Sequence, residues 1–284
     1  MAFRTLIDTE NLAAHLADAR WIVIDCRFQL SDPAWGEKEY RTSHIPGAVY
    51  AHLNDDLSAP LTGTNGRHPL PEPGALIQTL IRLGVQSGMQ VVAYDADNGM
   101  FASRLWWLLK WIGHDEAAVL DGGFRKWTAE RRQVASGIDV RPAGLLTGTV
   151  RADMTADAGD VARIVGMRDR LLLDARAPER YRGDLEPIDR VPGHIPGAVN
   201  HFFQDNVDER GVFRSPAELR ERLSRALGST PPDHVVCYCG SGVTACQNLL
   251  AMEIAGLPGA RLYGGSWSEW SSDPAKPVER STLK

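Results

Sequence analysis

The chain has 284 residues, 43% of them hydrophobic and 24% charged. That balance excludes a mainly disordered chain and leaves room for two ordinary domains. The formal net charge of −5 gives no basic surplus for a nucleic-acid or anionic-membrane partner. There is no apolar run of membrane-spanning length, no apolar h-region in the opening MAFRTLIDTENLAAHL, and only four cysteines. A cytoplasmic location with free thiols is therefore expected.

The first apolar run, WIVID (21–25), reads as a buried strand ending in an acid. HIPGA follows at 44–48, and GRHPLP at 66–71 reads as a loop. QVVAY (90–94) is a second strand, followed by the helical pattern FASRLWWLLKWIG closed by Gly113. AAVL (117–120) is a third strand, leading into Gly122-Gly123. Residues 132–158 are rich in Gly, Pro and Thr, show no long apolar period and read as a join, with TGTVRA (147–152) a candidate extended segment.

The same blocks then return in the same order. LLLD (171–174), HIPGA (194–198), VVCY (235–238), GVTACQNLLAMEIAG closed by Gly256, and ARLY before Gly264-Gly265 match their earlier counterparts. Two copies of one domain are predicted, over 1–137 and 158–284 with a linker at 138–157. Each copy is expected to be α/β, a mainly parallel sheet flanked by helices, with ligand sites at the carboxyl ends of its strands.

The residues with chemistry lie at one such strand end. Cys239-Gly240-Ser241-Gly242-Val243-Thr244 sits between the strand VVCY and a helix starting near Gly242–Thr244. Unpaired N–H groups of a helix start favour an anion, so the thiolate should be stabilised there. The glycines let the backbone curl round the sulfur, and Ser241 and Thr244 add hydroxyl donors. A buried structural cysteine is the common alternative. The first copy carries Asp95 where the second carries Cys239. A carboxylate cannot take up sulfur as a thiolate does, so the first copy reads as catalytically silent.

Tandem HIPGA-containing domains, with Asp in the first loop and CGSGVTA in the second, resemble the two-domain rhodanese family over essentially the whole chain. The loop CGSGVTA resembles that of 3-mercaptopyruvate sulfurtransferases, whereas thiosulfate sulfurtransferases of this architecture typically carry basic residues there, as in CRKGVTA. The resemblance implies that Cys239 accepts sulfur from a small donor as a persulfide. A small thiol, cyanide or a thioredoxin-like dithiol then removes it, and no metal or organic cofactor takes part. A neutral loop suits a 2-oxo acid better than the compact thiosulfate dianion, and guanidinium groups away from the loop would bind the carboxylate. The segment ERYRGDLEPIDRVPGHIPGA offers Arg180, Arg182 and Arg190. The resemblance assigns donor binding to Arg182 and, after a short shift in register, to Arg190. It also implies a Ser–His–Asp relay of Ser241 and His68, with the Asp near Asn54. Asn54 departs from that pattern, leaving the role to Asp55 or Asp56, or the relay incomplete.

Other candidates read as scaffold. Asp25-x-Arg27 and Asp174-x-Arg176, like His44 and His194, occur in both copies. Cys237, Cys239 and Cys246 lack metal-ligand spacing. The tryptophans Trp106, Trp107 and Trp111 on one helix read as packing rather than a binding cage. A phosphatase would need Arg after Cys-x5, where Ala245 stands. A thiosulfate:cyanide sulfurtransferase and a non-catalytic sulfur carrier remain as alternatives.

Overall fold

A computed structural model describes residues 2–281. The chain divides into two compact units. Among the described residues the first comprises 2–59, 71–151 and 207–213, and the second 60–70, 152–206 and 214–281.

The first unit is built on a five-stranded parallel sheet. Its strands are β1 (Leu6–Ile7), β2 (Trp21–Asp25), β3 (Val49–Tyr50), β4 (Gln90–Tyr94) and β5 (Ala117–Leu120), in the order β1-β5-β4-β2-β3. The second unit repeats the plan with β6 (Thr155–Ala156), β7 (Leu171–Asp174), β8 (Val199–Asn200), β9 (Val235–Tyr238) and β10 (Arg261–Tyr263), in the order β6-β10-β9-β7-β8. The register repeats too: Asp25 stands beside Tyr94 at the end of one central pair, and Asp174 beside Tyr238 at the end of the other. The central strands β4 and β9 are buried along their whole length. This is why they read as unbroken apolar runs rather than alternating ones.

Four strands escape a periodicity reading because they have only two residues each. Two of them, β3 and β8, start directly after HIPGA. TGTVRA forms no regular strand; Thr149 and Arg151 donate their N–H groups to the carbonyls of Ile112 and Trp111.

The duplicated His and Asp-x-Arg residues hold the frame. His44 donates from Nδ1 to the Tyr40 carbonyl at 2.7 Å, and His194 to that of Tyr181 at the same distance. Each imidazole stacks on its tyrosine ring. Arg27 grips Asp25, and Arg176 grips Asp174, through buried two-pronged contacts. The guanidinium of each also lies over an aromatic ring, Phe124 or Trp267. Identical geometry in both copies fits a structural role. Trp106, Trp107 and Trp111 are buried, and among the described residues no helix is long and apolar enough to cross a membrane.

Candidate active site

The second unit carries the cysteine loop at the carboxyl end of β9, at the centre of its sheet. Tyr238, the last strand residue, is clamped before the loop begins. It is hydrogen-bonded to Asp174 and its hydroxyl accepts the Ile195 N–H at 3.3 Å. Burial pushes this phenol well above its ordinary range, so it stays a neutral donor to the carboxylate. The loop is then tied down from the other side. Cys239 N–H donates to Ser266 Oγ at 3.1 Å, while Trp267 and Ser268 donate to the carbonyls of Cys239 and Gly240. The next helix, Thr244–Ile254, has eight of its eleven residues buried and no side-chain cap at its start. Its first amides therefore face the loop.

Inside this turn Gly242 donates its N–H to Cys239 Sγ at 3.2 Å. Among the described residues, the N–H groups of Gly240, Ser241 and Val243 meet no protein acceptor. The thiol thus accepts one amide hydrogen in a loop with three further amides to spare, a setting that suits a sulfur anion. Gly242 is required twice over. Its φ of +76° lies in the left-handed region, and a Cβ there would fall 2.4 Å from the Gly264 carbonyl oxygen.

The first unit shows the same turn filled differently. Asp95 is buried, and each of its carboxylate oxygens receives two backbone N–H groups. Asp97 and Gly99 donate to Oδ1, and Phe101 and Ala102 to Oδ2, at 2.8–3.2 Å. The anion cradle of this copy is occupied by the protein's own carboxylate.

The structure brings Cys239, Ser241 and His68 into the second unit. His68 Nδ1 is hydrogen-bonded to Ser241 Oγ at 2.7 Å, and both residues are buried. His68 reaches it on the segment 60–70, which folds with the second unit although it precedes most of the first-copy sequence. The candidate acids near Asn54 have other partners. Asn54 itself is exposed, Asp55 is paired with His52, and Asp56 accepts the His52 N–H and pairs with Arg82.

The two guanidinium groups beside the loop are those of Arg67 and Arg180, not Arg182 and Arg190. A Cβ placed on Gly240 would lie 2.8 Å from Arg67 Nη2 and 3.6 Å from Arg180 Nη1. Arg180 is held by Glu186 through Nε and Nη2 and by Asp189 at 3.0 Å, and Arg67 Nη1 pairs with Asp189. Burial pushes the Asp189 carboxyl up, and the two arginines oppose that shift. Arg182 instead holds Asp184, and Arg190 is exposed; among the described residues neither bonds to the cysteine loop. Helix geometry explains the difference. Arg180 and Arg182 lie two positions apart on the short helix Pro178–Arg182, so they face about 200° apart. Only a helix assignment over PERYR distinguishes them in the sequence. Arg67 was adjacent to a candidate, His68, and carried no further signal. Ser266, which caps the Cys239 amide, carried none at all.

Comparison with known proteins agrees with this architecture. The model of the rhodanese-like domain matches residues 8–130 and again 157–273. A probable 3-mercaptopyruvate sulfurtransferase of Pseudomonas aeruginosa is 46% identical over 98% of this chain and 99% of its own length. A putative thiosulfate sulfurtransferase of Mycobacterium tuberculosis is 38% identical over 92% of this chain and 91% of its own. The solved structure of 3-mercaptopyruvate sulfurtransferase from Leishmania major superimposes with a TM-score of 0.84 at 30% identity, covering 94% of this chain and 74% of that one. With the domain model matched twice and relatives aligned over nearly the full length, the chain belongs to the rhodanese family, as a tandem pair of rhodanese-like domains.

Proposed function

We propose that the chain is a sulfurtransferase that moves sulfur from 3-mercaptopyruvate to a thiol or cyanide acceptor through a Cys239 persulfide. The observation that carries this reading is the Cys239 thiol, bonded by the Gly242 amide at a strand end, in one loop with the hydrogen-bonded Ser241–His68 pair. The Cys239 thiolate attacks the donor's sulfur, and an S–S bond forms as the donor's C–S bond breaks. The bonding electrons leave on carbon as the pyruvate enolate. The proton of the donor thiol ends on that carbon, so pyruvate is released and Cys239 holds an anionic persulfide. Ser241 and His68 are the groups that would relay the proton, in a buried site where bulk water does not compete. The loop amides would stabilise the terminal sulfur anion. An acceptor thiolate or cyanide then attacks the outer sulfur and returns Cys239 as a thiolate. A small thiol, cyanide or a thioredoxin-like dithiol would serve. A reducing compartment such as the cytoplasm would keep the four unpaired cysteines free.

A second reading, thiosulfate as donor, is favoured by one observation: Arg67 and Arg180 stand over Gly240, so the surroundings of the loop are less neutral than its sequence. Initial rates with both donors, cyanide and a dithiol as acceptors, separate the two. A kcat/KM advantage for 3-mercaptopyruvate that vanishes in Cys239→Ser supports the first reading. A thiosulfate advantage supports the second. Activity with neither donor refutes both.

A further inference from the structure

Arg67 takes no part in the steps above, yet it is the cation most closely applied to the cysteine loop. Its backbone is fixed: Arg67 N–H donates to Ser268 Oγ at 3.1 Å. At the preceding residue, Gly66, a Cβ would collide with the Gly265 carbonyl oxygen at 2.7 Å. Its guanidinium occupies the space that a side chain on Gly240 would need. The arginine and the missing side chain are complementary, and this places a fixed positive charge one residue from Cys239. Arg180 is the more heavily engaged of the two, because Glu186 and Asp189 take its Nε and Nη2 and leave Nη1. Arg67 is only partly engaged. Asp189 takes Nη1, whereas Nε is buried and meets no acceptor among the described residues. A quarter of the side chain remains exposed. An unmet buried donor on a partly exposed guanidinium is a cost that an arriving anion removes.

We infer that Arg67 is the donor-anchoring residue of this site: its Nε–Nη2 edge receives the anionic head group of the sulfur donor, the carboxylate of a mercapto-2-oxo acid, while the donor's sulfur meets Cys239. The inference rests on the sulfur-transfer reading. Asp189 is then a positioning residue. By taking Nη1 it turns the other edge of the fork towards the loop, and it remains 6% exposed as a fixed counter-ion to both arginines.

The test compares two donors with the same thiol and ketone, 3-mercaptopyruvate and mercaptoacetone, which lacks the carboxylate. In Arg67→Gln the KM for 3-mercaptopyruvate should rise about tenfold or more while kcat changes less than about threefold. The kcat/KM for mercaptoacetone should change less than about threefold. Arg67→Lys keeps the charge without the fork and should fall between wild type and Arg67→Gln. It carries the same comparison if thermal melting shows that Arg67→Gln does not fold. Equal losses on both donors would mean that Arg67 shapes the loop rather than holding a carboxylate, and would overturn the inference. An unchanged KM for 3-mercaptopyruvate would overturn it as well. Failure of the underlying reading looks different: wild-type protein treated with donor would then show no added sulfur on Cys239 by intact-mass measurement.

Discussion

Asp95 offers the sharpest stability test of how the two copies relate. Its carboxylate takes four backbone N–H groups in a buried turn. Burial pushes this carboxyl up and the amides pull it down. Each oxygen already receives two donors, so a carboxyl proton would point at N–H groups, and the geometry fits the charged form. Replacing Asp95 by Ala strands all four donors. An unsatisfied buried donor costs about 1–3 kcal/mol, and water entering the vacated space can recover about half of them. The expected loss is therefore about 3–5 kcal/mol in the first unit. Asp95→Asn keeps the volume and one acceptor oxygen but turns an NH2 group on the other two donors, for a loss of about 2–3 kcal/mol. Urea unfolding followed by tryptophan fluorescence reports on this unit, which holds six of the eight tryptophans. A loss below about 1 kcal/mol for Asp95→Ala would refute the idea that the carboxylate fills an anion cradle.

Four further outcomes follow from the same geometry. Ser241→Ala or His68→Asn should cut kcat with 3-mercaptopyruvate about a hundredfold and spare thiosulfate, whose sulfite leaving group needs no proton on carbon; equal losses on both donors would exclude a proton relay. Gly242→Ala should abolish most activity, because its Cβ meets the Gly264 carbonyl at 2.4 Å. Gly197→Ala, at the matching φ of +75° with nothing within 4 Å, should cost only about 1 kcal/mol of stability and little activity; similar kinetics for the two variants would contradict this. The Arg151 fork holds the Asp115 carboxyl well below the ordinary carboxylate range. With the folded-state pKa depressed, the pair stabilises above the unfolded value of about 4 and is lost as pH falls through the folded value. Because both groups are about a third exposed, Asp115→Asn should cost about 1 kcal/mol at neutral pH, a gap that closes in acid denaturation curves; a constant gap would rule out the ion pair.

What could be read from the sequence is what short-range physics encodes. The central strands β4 and β9 declare themselves as apolar runs because both faces are covered. Repetition exposes the duplication, and the Cys239 loop is legible because strand, glycines and helix start are contiguous. Residues brought in from elsewhere in the chain are not legible in this way. His68 is legible only through family resemblance, and its neighbour Arg67 is not legible at all, because nothing local distinguishes an arginine beside a loop about 170 residues away from a solvated one. Which of Arg180 and Arg182 lies beside the loop is hidden for a related reason, since it turns on the phase of a five-residue helix.

The duplication also allows the two turns to be compared directly. Both turns follow the same central strand, end beside the same Asp–Arg–Tyr clamp and present amides to the same spot. Such a spot demands an anion. In the first unit the Asp95 carboxylate fills that place and accepts four backbone N–H groups. In the second unit the side chain is a thiol, which meets the Gly242 amide, while among the described residues the N–H groups of Gly240, Ser241 and Val243 meet no protein acceptor. On the proposed mechanism a persulfide would extend the anion by one sulfur atom within a loop that has amides to spare. Amides that reach the outer sulfur would then favour the charged intermediate over the resting thiol, which is the condition for stabilising the transfer step rather than the free enzyme.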